Sequence, residues 1–482
     1  MRIGCEITGE GLALRVDDRR FRVAYPGDVW RGFPHREAFA EHYAFLKALH
    51  LPQMLAREDE ALVFETRRPL HHHAIFLAML NNVPFCADVD GVPTGERLRA
   101  LMGLERRFAD EAGRLPVAGR ALGERAVVNM SFGKDSLLSW ALARDLGLDP
   151  LLWISVDNDC PREYAWKAEI SARFCAEFGQ SVHTVVNDTG LIHRPEYWQA
   201  APTEWGFGHL ITEYAMHALP FAWQHAARYV LLGNEKSCDD SYANRDGFRA
   251  WPVYDQSSEW SLELTHIARG LMASPVTVCS LIEPLHDLAI IRILHRRYPQ
   301  VGKYQMSCFP DESEHGRHAH WCGHCTKCAR NFVFMRANGI DPRSVGLAVD
   351  MFGEDSIRCF PLIRDAATGV HTAGYDATPC RRDEQLRALM LAREHGAAGA
   401  VIERFEARFL AEAIGRRAEL EARFLRVQDA RTMPAALRER VVALCREASC
   451  ARPAPGGNAP RVPRDARSPP RGIAPRNVRS PR

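Results

Sequence analysis

The chain has 482 residues, 46% apolar and 25% charged, with a formal net charge of +2. At roughly 100–200 residues per domain this is two to four domains with sizeable cores. Fibrous, disulfide-scaffold and wholly disordered classes are excluded. The charge is uneven: residues 451–482 hold eight arginines and one aspartate, a net of +7, which leaves −5 on the first 450. A nucleic-acid-binding body is therefore not expected. No stretch approaches the ~20 apolar residues of a membrane helix. Met1–Glu6 lacks an apolar run like that of a signal peptide, so a cytoplasmic protein with reduced thiols is expected.

In chain order, Leu12, Leu14 and Val16 alternate, Asp17-Asp18 can turn, and Phe21, Val23 and Tyr25 alternate again, which predicts a hairpin. Apolar spacing predicts helices over 36–49 and 94–114. His71-His72-His73 is expected as a partly buried cluster at a helix start. Ala126–Met130, Leu151–Val156, Ser181–Val186 and Tyr229–Gly233 are short apolar runs separated by helical stretches. They predict an α/β fold with a doubly wound parallel sheet. Residues 384–450 have helical spacing, and 451–482, with eight prolines, are expected to be disordered. The expected divisions are an α+β region over 1–120, the parallel-sheet domain over 121–345, a mostly helical region over 346–450, and the tail.

Ser131-Phe132-Gly133-Lys134-Asp135-Ser136 directly follows the first parallel strand. A strand, a tight turn and a helix N-terminus make an anion site, because unpaired backbone N–H groups and the positive dipole end converge there. Gly133 allows close approach, Ser131 and Ser136 add hydroxyls, Lys134 supplies charge, and Asp135 can hold Mg²⁺. The GxxxxGK[ST] spacing is absent. Asp157-Asn158-Asp159 and Asn234-Glu235-Lys236-Ser237 follow later strands, at the sheet edge where ligands bind. Asp157 and Asn234 are candidate nucleotide contacts, and Glu235 is a candidate to orient Mg²⁺ or substrate. Cys308, Cys322, Cys325 and Cys328 lie within 21 residues, with a Cys-Gly-His-Cys knuckle, and suit a structural tetrahedral Zn²⁺. The other ten cysteines are expected as small core residues.

The loop resembles the PP-loop of the N-type ATP pyrophosphatases. The resemblance implies ATP cleavage between the α- and β-phosphates to activate a carboxylate or carbonyl oxygen; Phe132 stands where many relatives have glycine. Loop and cysteine cluster together resemble 7-cyano-7-deazaguanine synthase, which is about half this length. Further stretches, Arg249–Ser257 with Trp260 and Glu263, Glu283–Ala289, Ser307-Cys308, Phe352-Gly353 and Ala373–Ala377, are similar in order and spacing to the UDP-N-acetylmuramoyl-L-alanyl-L-glutamate epimerases over about 125–395. That resemblance implies ATP-driven inversion of a terminal glutamate in a peptide-nucleotide substrate. Lys134, Asp135, Glu235 and Glu263 are the expected catalytic residues. For the proton-abstracting base, Cys238, Asp239, Asp240, Asp255 and Glu263 are candidates by position. A 7-deazaguanine-type amide or nitrile former, an epimerase of a different peptide, and a zinc-dependent nucleic-acid binder with a basic tail are the alternatives.

Overall fold

The computed structural model describes residues 1–450 except 58–59, 111–115, 158–160, 207–208, 309–320 and 366–373. The arginine- and proline-rich tail, with its expected disorder, lies outside the described residues, as do Asn158 and Asp159. The strands are β1 Arg2–Ile7, β2 Gly11–Val16, β3 Arg19–Ala24, β4 Leu62–Arg67, β5 Arg106–Asp110, β6 Gly123–Asn129, β7 Pro150–Asp157, β8 Val182–Asn187, β9 Ala227–Leu231, β10 Tyr242–Ala243, β11 Arg249–Ala250 and β12 Thr277–Cys279. Ten of them form one sheet in the order β12-β9-β6-β7-β8-β3-β2-β1-β4-β5, and β10 pairs with β11 alone.

Between β12 and β8 every pairing is parallel. β7, β9 and the C-terminal half of β6 are mostly apolar because both faces are covered, whereas β6 starts with exposed Gly123-Glu124-Arg125 and β8 is largely half-buried. The alternation of strand side chains divides them cleanly. Ala126, Val128, Leu152, Ile154, Tyr229, Leu231 and Cys279 enter one core with helices Lys134–Asp145 and Asp287–Arg297. Val127, Trp153, Val230 and Val278 enter the other, with helices Leu210–Gln224 and Ser258–Met272. The order runs outward from β6 to β7 and β8, then returns to β9 and β12 on the opposite side. The switch point therefore falls between β6 and β9, where a crevice opens at the strand C-termini.

The expected N-terminal hairpin is β2–β3, with Asp17 at φ 52°, the left-handed conformation a two-residue turn needs. β1 joins it, and β3 pairs antiparallel with β8 through Val23↔Asn187 and Ala24↔Val186. The sheet thus runs unbroken from the N-terminal residues into the parallel part. The helix expected over 94–114 is corrected: it spans Thr94–Gly103, and β5 follows, parallel to β4. Leu98, Leu101 and Phe108 fit a helical period, yet Phe108 is taken up by the sheet and stacks on Phe64 at 5.0 Å. His71 is the N-cap of helix His72–Asp90.

A third core surrounds helix Thr326–Ala337 and the C-terminal helices Pro379–Glu394, Ala400–Gly415 and Arg417–Phe424. The last helix, Ala435–Cys450, returns Leu437, Val441, Cys445 and Ala448 to the β6 side of the sheet. Of the single cysteines, Cys86, Cys238, Cys279, Cys359, Cys380 and Cys445 are buried and Cys5 and Cys175 half-buried.

Candidate functional site

β6 ends at Asn129 and helix Lys134–Asp145 begins five residues later with Gly133 as N-cap. Phe132 between them adopts φ 58°. That conformation costs a residue with a Cβ about 1–2 kcal/mol, which glycine would not incur. Burial of the ring offsets it: Phe132 packs edge-on to Phe174 at 5.5 Å, and its carbonyl accepts from Met306 N–H at 2.8 Å. Gly133 N–H donates to Ser131 Oγ at 3.3 Å, Ser136 Oγ donates to the Gly133 carbonyl at 3.2 Å, and the two hydroxyls lie 3.2 Å apart. The loop is therefore closed on itself with its two serines side by side.

Lys134 is 5% exposed. Its Nζ donates to both carboxylate oxygens of Asp135 at 2.7 Å and lies 2.8 Å from Asp287 Oδ1. Glu235, from the loop after β9, completes a group: Asp135, Glu235 and Asp287 offer oxygens all within 4.8 Å of one another. The approach of β9 to the loop depends on Gly233, where a Cβ would sit 2.9 Å from Asp135 Cβ. Arg381 locks the cluster from behind, donating to Asp287 at 2.7 Å, Glu235 at 2.8 Å and Glu384 at 2.9 Å. Arg330 lies 3.5 Å from Asp287 and pairs with Asp376. Glu384 also caps helix Asp287–Arg297, accepting from Leu288 N–H at 2.9 Å.

In this network Lys134, Arg330 and Arg381 face Asp135, Glu235, Asp287, Asp376 and Glu384. Full ionisation leaves two negative charges in excess, matching one divalent cation, and oxygen-only donors suit Mg²⁺. Burial pushes the Asp135 carboxyl up to about 7; Lys134 pulls it down, and Glu235 and Asp287 push it further up. Burial acts upward on Asp287 too, but Arg381, Lys134 and Arg330 outweigh it and hold it well below the usual carboxylate range. Removing one partner of such a buried array strands its opposite charges, at a cost of about 3–5 kcal/mol. Arg381→Met is accordingly expected to lower unfolding free energy by about that amount in a urea titration; an unchanged midpoint would show that Arg381 is not the keystone.

The loop forms one wall of a cleft enclosing about 160 Å³. Ser131, Lys134 and Asp135 stand on that wall, while Lys327, Arg330 and Tyr375 are contributed from beyond residue 320. The volume is below the ~300–1,000 Å³ of a whole-ligand pocket, so among the described residues there is room for phosphates; 309–320 and 366–373 adjoin it in sequence.

Cys308 also lines this cleft. The four clustered cysteines place their sulfurs within 4.8 Å of one another, with Cys308–Cys325 at 3.9 Å and Cys322–Cys328 at 3.7 Å. Tetrahedral zinc with Zn–S of about 2.3 Å demands sulfur–sulfur edges of about 3.8 Å. Gly323 takes φ 75°, and two backbone N–H groups donate to sulfur at 3.4 Å, Gly323 to Cys328 and Cys328 to Cys325. Such donors stabilise thiolates. The four cysteines can hold a metal such as zinc, and Cys325 simultaneously caps helix Thr326–Ala337. His324 Nδ1 pairs with the Cys322 carbonyl at 2.8 Å.

The remaining expected residues are placed as follows. Asp157 ends β7 and accepts from Ser155 and Asn187 at 2.8 Å and Tyr214 at 3.1 Å. Asn234 is buried, its amide donating to Ser261 at 3.2 Å. Glu263 is not brought to these groups: it is exposed on helix Ser258–Met272, outside both the carboxylate group and the cleft lining, because the inward positions of that helix are Trp260, Ser261, Leu264 and Thr265. Asp255 is 1% exposed and caps helix Leu210–Gln224 by accepting from Ile211 and Thr212 N–H. Asp239 caps helix Ser258–Met272 through Ser258 N–H at 2.9 Å. Asp240 is held by Arg423 and His286 at 2.9 and 3.1 Å. Burial pushes the Cys238 thiol well above its usual range, and it donates to Glu235 at 3.2 Å. These residues are engaged in capping and pairing. Asp287, Arg330, Tyr375, Asp376, Arg381 and Glu384 belong to the site and had no role assigned from sequence.

No protein-family model matches the chain, and no curated protein matches it in sequence.

Proposed function

We propose that the chain is a PP-loop ATP pyrophosphatase of the adenine-nucleotide-hydrolase fold. In this proposal it inverts the terminal L-glutamate of UDP-MurNAc-L-Ala-L-Glu to D-glutamate in cytoplasmic peptidoglycan precursor synthesis. The supporting observation is the convergence of Lys134 with Asp135, Glu235 and Asp287 beside a closed serine loop at the switch point. A helix N-terminus, a buried lysine and surplus carboxylates suit a magnesium-bound triphosphate. Backbone N–H groups at 134–136 and Ser131 bind phosphate oxygens, Lys134 neutralises charge that builds on the leaving pyrophosphate, and Asp135 with Glu235 or Asp287 would hold Mg²⁺, which would supply charge neutralisation there. Zinc at Cys308, Cys322, Cys325 and Cys328 is structural.

The chemistry needs activation. A Cα–H beside a free carboxylate resists removal, since the carbanion would form next to a negative charge. Attack of the glutamate α-carboxylate oxygen on the α-phosphorus breaks the Pα–O–Pβ link and releases pyrophosphate. The resulting acyl adenylate is neutral at the carbonyl and accepts the electron pair when the Cα proton leaves. Protonation on the opposite face and attack of water on the acyl carbon yield the D-centre and AMP. The test is incubation with ATP, Mg²⁺ and UDP-MurNAc-L-Ala-L-Glu, then chiral analysis of glutamate released by hydrolysis. Equimolar AMP, pyrophosphate and D-glutamate are expected. Wholly L-glutamate with no AMP would reject the proposal.

A further inference from the structure

Glu204 opens a short 3-10 turn, Glu204–Gly206, whose backbone is pinned to helix His72–Asp90. Its N–H donates to Asp90 Oδ1 at 2.7 Å, and its carbonyl accepts from Cys86 Sγ at 3.8 Å. Asp90 is itself held by Arg97 at 2.6 Å and by Thr203. The Glu204 carboxylate, by contrast, makes no hydrogen bond or ion pair among the described residues. It is aimed at the turn Gly374–Ala377: a Cβ on Gly374 would lie 3.3 Å from Glu204 Cδ, and also 2.9 Å from Val89 and 3.2 Å from Phe85. That turn places Tyr375 in the cleft and gives Asp376 to Arg330. Lys327, another cleft residue, is the cation acting on Glu204.

Among the described residues the carboxylates that line the cleft or join its charged network are committed, and Glu204 itself is not one of the lining residues but stands against the turn that carries Tyr375. Asp135 and Asp287 are on Lys134, Glu235 on Arg381, Asp376 on Arg330, and Glu163, which lines the cleft, on Lys167. Burial and Asp90 raise the Glu204 carboxyl to about 7, against the pull of Lys327. Of the groups facing it, Arg97 is engaged by Asp90, and the Cys86 thiol is pushed well above its usual range by burial and so stays neutral. A base that is part-ionised at neutral pH, fixed through its backbone and unspent on any partner among the described residues is matched to proton transfer.

We infer that Glu204 is the catalytic base that removes the glutamate Cα proton, on a substrate lying from the serine loop past Tyr375 toward helix His72–Asp90. This rests on the epimerase proposal above. The Cα–H bond breaks, its proton passes to a Glu204 carboxylate oxygen, and its electron pair enters the carbonyl of the acyl adenylate. A proton from water arrives on the other face, and Glu204 returns its own to solvent. The N-terminal region thereby supplies the floor on which the base is mounted.

The experiment follows deuterium entry at Cα and pyrophosphate release in D₂O, for the full-length wild type, Glu204→Gln and Glu204→Asp, with ATP, Mg²⁺ and UDP-MurNAc-L-Ala-L-Glu. Glu204→Gln is expected to slow Cα deuteration by about 10²–10⁴-fold while the first turnover of pyrophosphate release persists. Glu204→Asp, which keeps the carboxylate but draws it back, should fall between. Wild-type deuteration should rise as pH passes about 7, and that rise should vanish in Glu204→Gln. Deuteration near wild type in Glu204→Gln, or parallel loss of both readouts, overturns the inference. Absence of deuterium in the wild type itself overturns the epimerase proposal instead, whatever the variants do.

Discussion

Lys134→Met is expected to reduce AMP formation by on the order of 10³-fold, the loss typical when a preorganised charge facing a transition state is removed. It should also destabilise the fold, since Asp135 and Asp287 lose the cation at 2.7 and 2.8 Å while remaining buried. Asp135→Asn separates the two effects. It removes one of three carboxylates that repel one another within 4.8 Å, so stability should hold or rise while activity falls and the Mg²⁺ requirement climbs. Pyrophosphate release at graded Mg²⁺, beside thermal denaturation, checks both. If Lys134→Met turned over normally once folded, the triphosphate assignment would fail.

Cys325→Ser is expected to be the most damaging substitution outside the loop. Structural zinc couples metal binding to folding, with apparent energies of about 10–16 kcal/mol in zinc-finger peptides. Here Cys308, Cys325 and Cys328 are buried in the core that contains Phe332, Phe352 and the C-terminal helices. Losing the metal would leave thiolates together in an apolar setting and uncap helix Thr326–Ala337. That helix carries Lys327, Arg330 and Asn331 to the cleft, so nucleotide binding should weaken together with stability. One zinc per chain is expected in wild type by elemental analysis, with sub-stoichiometric metal and protease sensitivity in Cys325→Ser. Stoichiometric iron, or no metal at all in freshly purified wild type, would contradict the assignment.

The features legible in the sequence were local ones. The serine loop occupies six consecutive residues after an apolar run, and the knuckle is defined by short spacings, so both announce themselves without tertiary information. The parallel strands were legible through short apolar runs, such as Ala126–Val128 in β6 and Leu151–Ile154 in β7, that burial on both faces favours. The charged heart of the site was not. Arg381 and Glu384 stand three apart in Cys380-Arg381-Arg382-Asp383-Glu384, a pattern that ordinarily marks a solvated helix face. Their burial follows from partners 94 to 147 residues away. Asp287 lies within Glu283–Ala289, but nothing local distinguishes it from a helix-capping aspartate. Glu263 lies apart from the carboxylate group for the opposite reason: proximity in sequence to the Asn234-Glu235 loop says nothing about which side of helix Ser258–Met272 it occupies. Glu204 has no motif around it and becomes visible only through Gly374, 170 residues away.

On the proposed function ATP is spent to make a glutamate Cα–H acidic, and isotope exchange at that carbon reads the step itself. Turnover of UDP-MurNAc-L-Ala-L-Glu in D₂O should place one deuterium at Cα of the glutamate in the D product, only while ATP is converted to AMP and pyrophosphate. Omitting ATP or amidating the α-carboxylate should abolish exchange, and adding ammonia should change nothing. ATP consumption with glutamate wholly L and free of deuterium at Cα, or a nitrogen-bearing product when ammonia is supplied, would contradict the account.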